Sequence, residues 1–225
     1  PGFFEKQLEQ LGVDYVDYYW LHGLNGRTYQ QAEEMHAFEF IQAKKAEGKI
    51  RHIGLSFHDK AALLDEILTA HPDLEYVQIQ LNYLDWNDPA VESRLCYEVA
   101  VKHNKPVIVM EPVKGGSLIQ IPETANQLFK ETHPDLSTAS WAIRFAASPS
   151  HVMMVLSGMS DLAQLKDNIA NMEELQPLTK EEEDLLELTV AEYQKRWKFA
   201  CTDWAALDDN AYHVPVSGIL RAYNS

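Results

Sequence analysis

Short runs of β-branched and aromatic residues alternate along this chain with longer stretches whose apolar positions recur at helical spacing. The runs YVDYYWL (15–21), IRHIGLSF (50–57), YVQIQLNYL (76–84), PVIVMEPV (106–113) and VMMVLSG (152–158) have the length and flanks of strands. The residues before the first run already read as part of a helix. TYQQAEEMHAFEFIQAKKAEGK (28–49) predicts one helix, with Gly48 at its C′ position. DKAALLDEILTAHPD (59–73) predicts another with Asp59 as its N-cap, and PAVESRLCYEVAVKHN (89–104) a third with Pro89 at N1. LSTASWAIRFAAS (136–148) and DLAQLKDNIANM (161–172) complete the set.

Strand and helix therefore alternate, which calls for an α/β fold with a parallel sheet covered by helices. The first strand leads into LHGLNGRTYQ. Its two glycines do not form the G-x-G-x-x-G turn of an open dinucleotide-binding sheet, and this favours staves of a barrel. After residue 175 the pattern changes. PLTKEEEDLLELTVAEYQKRW (177–197) is an acidic amphipathic helix opening on a Thr179/Glu182 capping box. The expected partition is a barrel segment over 1–175 and a C-terminal helix and tail over 176–225. Within the helix, KEEEDLLE (180–187) is expected to be a solvated face.

Composition narrows the function classes. A formal net charge of −15, with no basic cluster to offset it, argues against nucleic acid or an anionic membrane as partner. No apolar run reaches membrane-spanning length, and PGFFEKQLEQ is not a secretory signal. Two cysteines, Cys96 and Cys201, do not make a disulfide scaffold, so a cytoplasmic setting is expected. Cys96 is expected to be a small core residue. The chain opens on Pro1, which hints at missing upstream sequence. Most histidines are scattered without the spacing of a zinc site. Two lie at strand ends: His22, after YVDYYWL, and His58, in FHD (57–59). On the residues alone, His22 is either a core histidine bonded to backbone or a group facing an active-site mouth.

Taken together, DYVDYYWLHGLN, EGKIRHIGLSFHD, YVQIQLNYLD, MEPVKGG and LSGMSDLAQLKDNIA resemble, in order, the aldo/keto reductase family, and more closely its bacterial branch with a C-terminal iron–sulfur segment. The resemblance implies a (β/α)₈ barrel that binds NADP(H) or NAD(H) at the C-terminal ends of its strands and moves hydride to or from a carbonyl carbon. It aligns the five strands with the last five of the barrel. Of the family's Asp, Tyr, Lys and His tetrad, only His22 has a counterpart, as the group that would orient a substrate carbonyl. The chain by itself is then expected to be inactive. The alternative is a non-catalytic homologue that binds nucleotide, or a partner chain completing the barrel.

The resemblance also implies a cofactor set. Ser56 and Gln78 would hold the nicotinamide amide, although Phe57 stands where the family has Asn. A buried Gln78 would in any case need a hydrogen-bond partner. Lys114, Gly115 and Gly116 would meet the pyrophosphate, as would Ser157, Gly158 and Met159 ahead of a helix N-terminus. Gln164, Asp167 and Asn168, on one helix face, would surround the adenine and its ribose. Glu111 stands where many relatives stack an aromatic ring, and no clear arginine for a 2′-phosphate appears near 164–168. The tail resembles the branch's cluster-binding segment, but after Cys201 the positions for further ligands carry Trp204, Leu207 and Asn210. One thiolate does not hold a [4Fe–4S] cluster, so none is expected.

Overall fold

The computed structural model describes residues 2–173 and 175–195 and the single positions 214, 216 and 219. The expected cluster-like tail, with Cys201, Trp204, Leu207 and Asn210, lies outside them. Five strands, β1 (Val16–Leu24), β2 (Ile50–Phe57), β3 (Tyr76–Gln80), β4 (Val107–Met110) and β5 (Val152–Val155), follow one another in sheet order β1-β2-β3-β4-β5. The pairings β1–β2 and β2–β3 are parallel. The fold is thus α/β, with each crossover made by helix, as the alternating pattern requires. No helix among the described residues is long and apolar enough to cross a membrane.

The chain forms two compact units, residues 1–80 with 95–108, and residues 81–94 with 109–225. The first holds α1 (Gly2–Leu11), α2 (Gly26–Glu34), α3 (Ala37–Ala46), α4 (Ala61–Ala70) and α5 (Ser93–Lys102) around β1 to β3. Its core is formed by Phe38, Ile41, Ile53, Leu55, Leu64, Ile67 and Val77. The expected single helix over 28–49 is two helices. His36 takes a left-handed conformation, φ 53°, and breaks the run between α2 and α3. Both pieces lie against β1, where α2 buries Ala32 and α3 buries Phe38 and Ile41. Gly48, φ 74°, ends α3 as expected. Asp59 does not cap α4. Lys60 is the N-cap, and Asp59 Oδ2 instead accepts from the Gly26 N–H at 2.8 Å. Pro89 does not open α5, which starts at Ser93 after Glu92 turns left-handed, φ 57°.

Gly54 in β2 is required by packing. A Cβ there would sit 2.6 Å from the Tyr76 ring and 2.7 Å from its carbonyl oxygen. Strand pairing puts Gly54 beside Tyr76 on β3, and the absent side chain makes room for the buried ring.

The second unit holds α6 (Glu123–Thr132), α7 (Thr138–Ala147), α8 (Leu162–Glu173) and α9 (Lys180–Gln194). Tyr83, Leu118, Phe129, Trp141 and Leu186 form its buried centre. The Thr179/Glu182 capping box forms as predicted. Glu182 is not on a solvated face, however. It is 3% exposed and takes both arms of the buried Arg144 guanidinium, at 2.6 and 3.0 Å. Burial by itself would raise this carboxyl. The hydrogen bonds from Arg144, the Thr179 N–H and His133 outweigh that and hold it below the ordinary carboxylate range.

Candidate active site

Residues expected to act on substrate and nicotinamide gather at the C-terminal ends of β1 to β3, within the first unit. Strand alternation carries Tyr18 and Trp20 to one face of β1, and His22 follows at its end. Tyr18 pairs with His52 and Trp20 with Gly54 on β2, then Gly54 with Tyr76 and Ser56 with Gln78 on β3. The contacts agree: Tyr18 stacks on His52, and Tyr18 and Trp20 both meet the Tyr76 ring edge-on. Ser56 and Gln78 are therefore cross-strand neighbours. Ser56 is fully buried and Gln78 is 7% exposed, while the His22 ring is exposed at the strand end.

The register of β1 slips between Leu21 and Leu24, a bulge that frees His22 and Gly23 from the ladder. Gly23 sits at φ 72°. Its N–H donates to Ser56 Oγ at 2.7 Å, and its carbonyl accepts from Thr28 Oγ1 at 2.8 Å. Thr28 is in turn the N3 residue of a capping box with Asn25, so the start of α2 fixes the bulge. His58 stands close by, its ring centroid 6.5 Å from that of His22 and edge-on to it. The two strand-end histidines are thus neighbours.

The second unit carries a separate cleft of about 690 Å³. Glu111, Gly115 and Gly116 line one side, and Ser157, Gly158, Gln164, Asp167 and Asn168 the other. A Cβ at Gly116 or Gly158 would meet nothing within 4 Å, so backbone is open to a ligand at both points. This suits a phosphate held by main chain. Several side chains are also engaged internally. Gln164 Oε1 accepts from the Ser160 N–H at 2.8 Å, and Asp161 Oδ1 accepts from the Gln164 N–H at 2.9 Å. Asp167 Oδ2 accepts from Ser137 Oγ at 2.7 Å, and Asn168 Nδ2 donates to Ser157 Oγ at 2.9 Å. The carboxylates of Glu111 and Asp161 are the same sign as a phosphate.

Two expected residues stand elsewhere. Met159 lines an adjacent apolar hollow with Leu165, Ile169 and Met172. The Lys114 ammonium, expected to meet a phosphate, donates to both oxygens of Asp85 at 2.6 and 2.9 Å. Asp85 and Asn82 did not stand out in the sequence. Their one signal was polarity, NYLD at the end of an apolar run.

Comparison with known proteins bears on the family and the fold. A model described as "Aldo/keto reductase family" matches residues 3–188. The uncharacterized oxidoreductase YqkF of Bacillus subtilis is 26% identical over 186 residues, covering 73% of this chain and 57% of the relative. The uncharacterized oxidoreductase C215.11c of Schizosaccharomyces pombe is 26% identical over 173 residues, covering 75% and 52%. The chain thus spans about half the length of the curated relatives it matches. Among solved structures, the holo form of aldo-keto reductase AKR11C1 from Bacillus halodurans superposes with a TM-score of 0.64 at 23% identity, over 84% of this chain and 63% of that one. An aldo/keto reductase from Klebsiella pneumoniae in complex with NADP and acetate does so with 0.62 at 20% identity, over 83% and 63%. At these identities the structural likeness speaks to the fold, five parallel strands of an α/β barrel.

Proposed function

Because the chain belongs to the aldo/keto reductase family, we propose that it forms the last five βα units of an NAD(P)-dependent oxidoreductase acting on a carbonyl or alcohol carbon. In this reading α9 and the tail are an extension beyond the barrel strands, and the protein works in the cytoplasm. The observation that carries the reading is the pairing of Ser56 with Gln78, together with the bond from the Gly23 N–H, next in the chain after His22, to Ser56 Oγ. The complex of the Klebsiella reductase with NADP and acetate supports a dinucleotide and a small oxygen-bearing substrate as ligands.

The exposed imidazole of His22 donates to the substrate oxygen and orients the carbonyl, and the Ser56–Gly23 bond fixes the bulge that carries it. Gln78 and Ser56 offer hydrogen bonds to a carboxamide. Gly116 and Gly158 present open backbone to a pyrophosphate, with Gly115 and Ser157 beside them, and Gln164, Asp167 and Asn168 face its nucleoside end. Met159 contributes through its backbone, and Lys114 contributes indirectly. The nicotinamide, when bound, supplies or accepts the hydride.

Turnover in this reading also needs a proton donor, the role the resemblance gives to the family's tyrosine. The five units by themselves are then expected to bind cofactor without reducing substrate. A non-catalytic role, binding nucleotide or a chain that completes the barrel, is favoured by one observation. Met153, Met154 and Leu156, on and just after β5, are each more than a third exposed.

Fluorescence titration with NADPH tests the reading. We expect saturable binding that Gln78→Ala weakens about tenfold, the loss of a buried hydrogen bond, with no carbonyl-dependent oxidation of NADPH. Absence of binding at millimolar NADPH and NADH would overturn it.

A further inference from the structure

We propose that the buried pair Asn82 and Asp85 is a positioning clamp for the loop Glu111–Gly116, and that Lys114 serves as its strap and not as a phosphate ligand. The inference rests on the reading of the cleft as a dinucleotide site. Four of the six loop residues are left-handed: Glu111 at φ 56°, Lys114 at 50°, Gly115 at 61° and Gly116 at 94°. Two of the four are not glycine, and each costs about 1–3 kcal/mol in that region unless surrounding contacts impose it. Both are held by the same anchor. Asn82 Nδ2 donates to the Glu111 carbonyl at 3.1 Å, and the Lys114 ammonium donates to both Asp85 oxygens.

The anchor is itself locked. Asn82 Nδ2 donates to Asp85 Oδ2 at 2.8 Å, and the Asp85 N–H returns a bond to Asn82 Oδ1 at 2.9 Å. Asn82 is 0% and Asp85 1% exposed, so water does not compete for these bonds. The result is one closed circuit through both strained positions of a loop that lines the cleft. A lysine free to meet a phosphate would not be chelated by a buried carboxylate. Here the cation neutralises Asp85, and its stem crosses from the loop to the anchor.

The two roles for Lys114 predict opposite effects of removing Asp85. Under the clamp, Asp85→Ala releases the loop and weakens nucleotide binding. Under direct contact, Asp85→Ala frees the ammonium and tightens it. Amide hydrogen exchange on nucleotide-free protein reads the loop without any ligand. We expect Asp85→Ala and Lys114→Met each to speed exchange over 111–118 about tenfold or more while β2 keeps its parental rates. The double variant should be no faster than either single one within about twofold, as expected for two partners of one bond. Lys114→Arg should restore protection. NADPH affinity should fall about tenfold in both single variants.

Asp85→Asn, which keeps the shape and loses the charge, is the second variant should Asp85→Ala fail to fold, and it too should speed exchange over 111–118. Unchanged exchange over 111–118 in the folded Asp85 variant overturns the clamp. So does tighter NADPH binding by it alongside weaker binding by Lys114→Met. Failure of the parent to bind NADPH overturns the cofactor reading alone, and the exchange data still decide the clamp.

Discussion

The Gly23 N–H donates to Ser56 Oγ at 2.7 Å, so the residue that follows His22 is fastened to a fully buried serine on the neighbouring strand. The bond joins residues 33 apart in the sequence and sets the bulge at the end of β1. Ser56→Ala should leave the Gly23 N–H without its acceptor. The expected cost is about 1 kcal/mol in urea unfolding. The His22 imidazole resonances should shift or broaden in NMR spectra while those of His133, in the other unit, stay in place.

Gly54→Ala should be among the more damaging single-methyl changes in the chain. The added carbon would lie 2.6 Å from a buried ring and 2.7 Å from a backbone oxygen. We expect a loss of about 2 kcal/mol or more by chemical denaturation. Tyr76→Phe should not relieve it, because the clash is with ring and backbone and not with the hydroxyl.

Breaking the buried Arg144–Glu182 pair from one side should cost about 3 kcal/mol, since the buried carboxylate loses both guanidinium bonds and keeps only those from His133 and the Thr179 N–H. Arg144→Met is the direct test. The paired change Arg144→Met with Glu182→Leu should recover a substantial part of that loss. A double variant as unstable as the single one would show that the pair matters for its capping bonds alone.

Acid should destabilise the second unit through the same carboxyl. Glu182 is held below its ordinary value in the folded chain, so its stabilising contribution is present above the ordinary carboxylate range. It is lost as pH falls through the lower, folded value. Glu75, in the first unit, follows the same sign. Burial opposes its ionisation, and bonds from Lys45, His52 and the Ile53 N–H prevail. The slope of unfolding free energy against pH below the ordinary range should therefore be shallower in Glu182→Gln than in the parent.

Tyr83→Phe should raise stability. The Tyr83 hydroxyl is buried in the apolar centre of the second unit and has no hydrogen-bond partner among the described residues, and burial pushes its ionisation upward. Deleting it removes an unsatisfied polar atom at little cost in packing. A gain of about 1 kcal/mol is expected in urea unfolding, and a loss of that size would reveal a partner for the hydroxyl.

The alternation of strand and helix, the Thr179/Glu182 box and the turn at Gly48 were legible in the amino-acid order, because periodicity and capping act within a few residues. His22 stood out locally as an ionisable residue at a strand end, while Ser56 and Gln78 became candidates through the family resemblance. Helix α6 escaped notice because it buries only a narrow stripe, Ala125 and Phe129, in a polar stretch. The break at His36 escaped because spacing reports which face is apolar and not whether the axis is continuous. Tertiary structure decided the rest. Asp59 turned from a cap to Gly26, Glu182 from solvent to Arg144, and Lys114 from the cleft to Asp85. In each case a charged or polar group had several local roles open to it. The outcome was set by a partner about 30 or more residues away, in a setting where burial makes one hydrogen bond outweigh the alternatives.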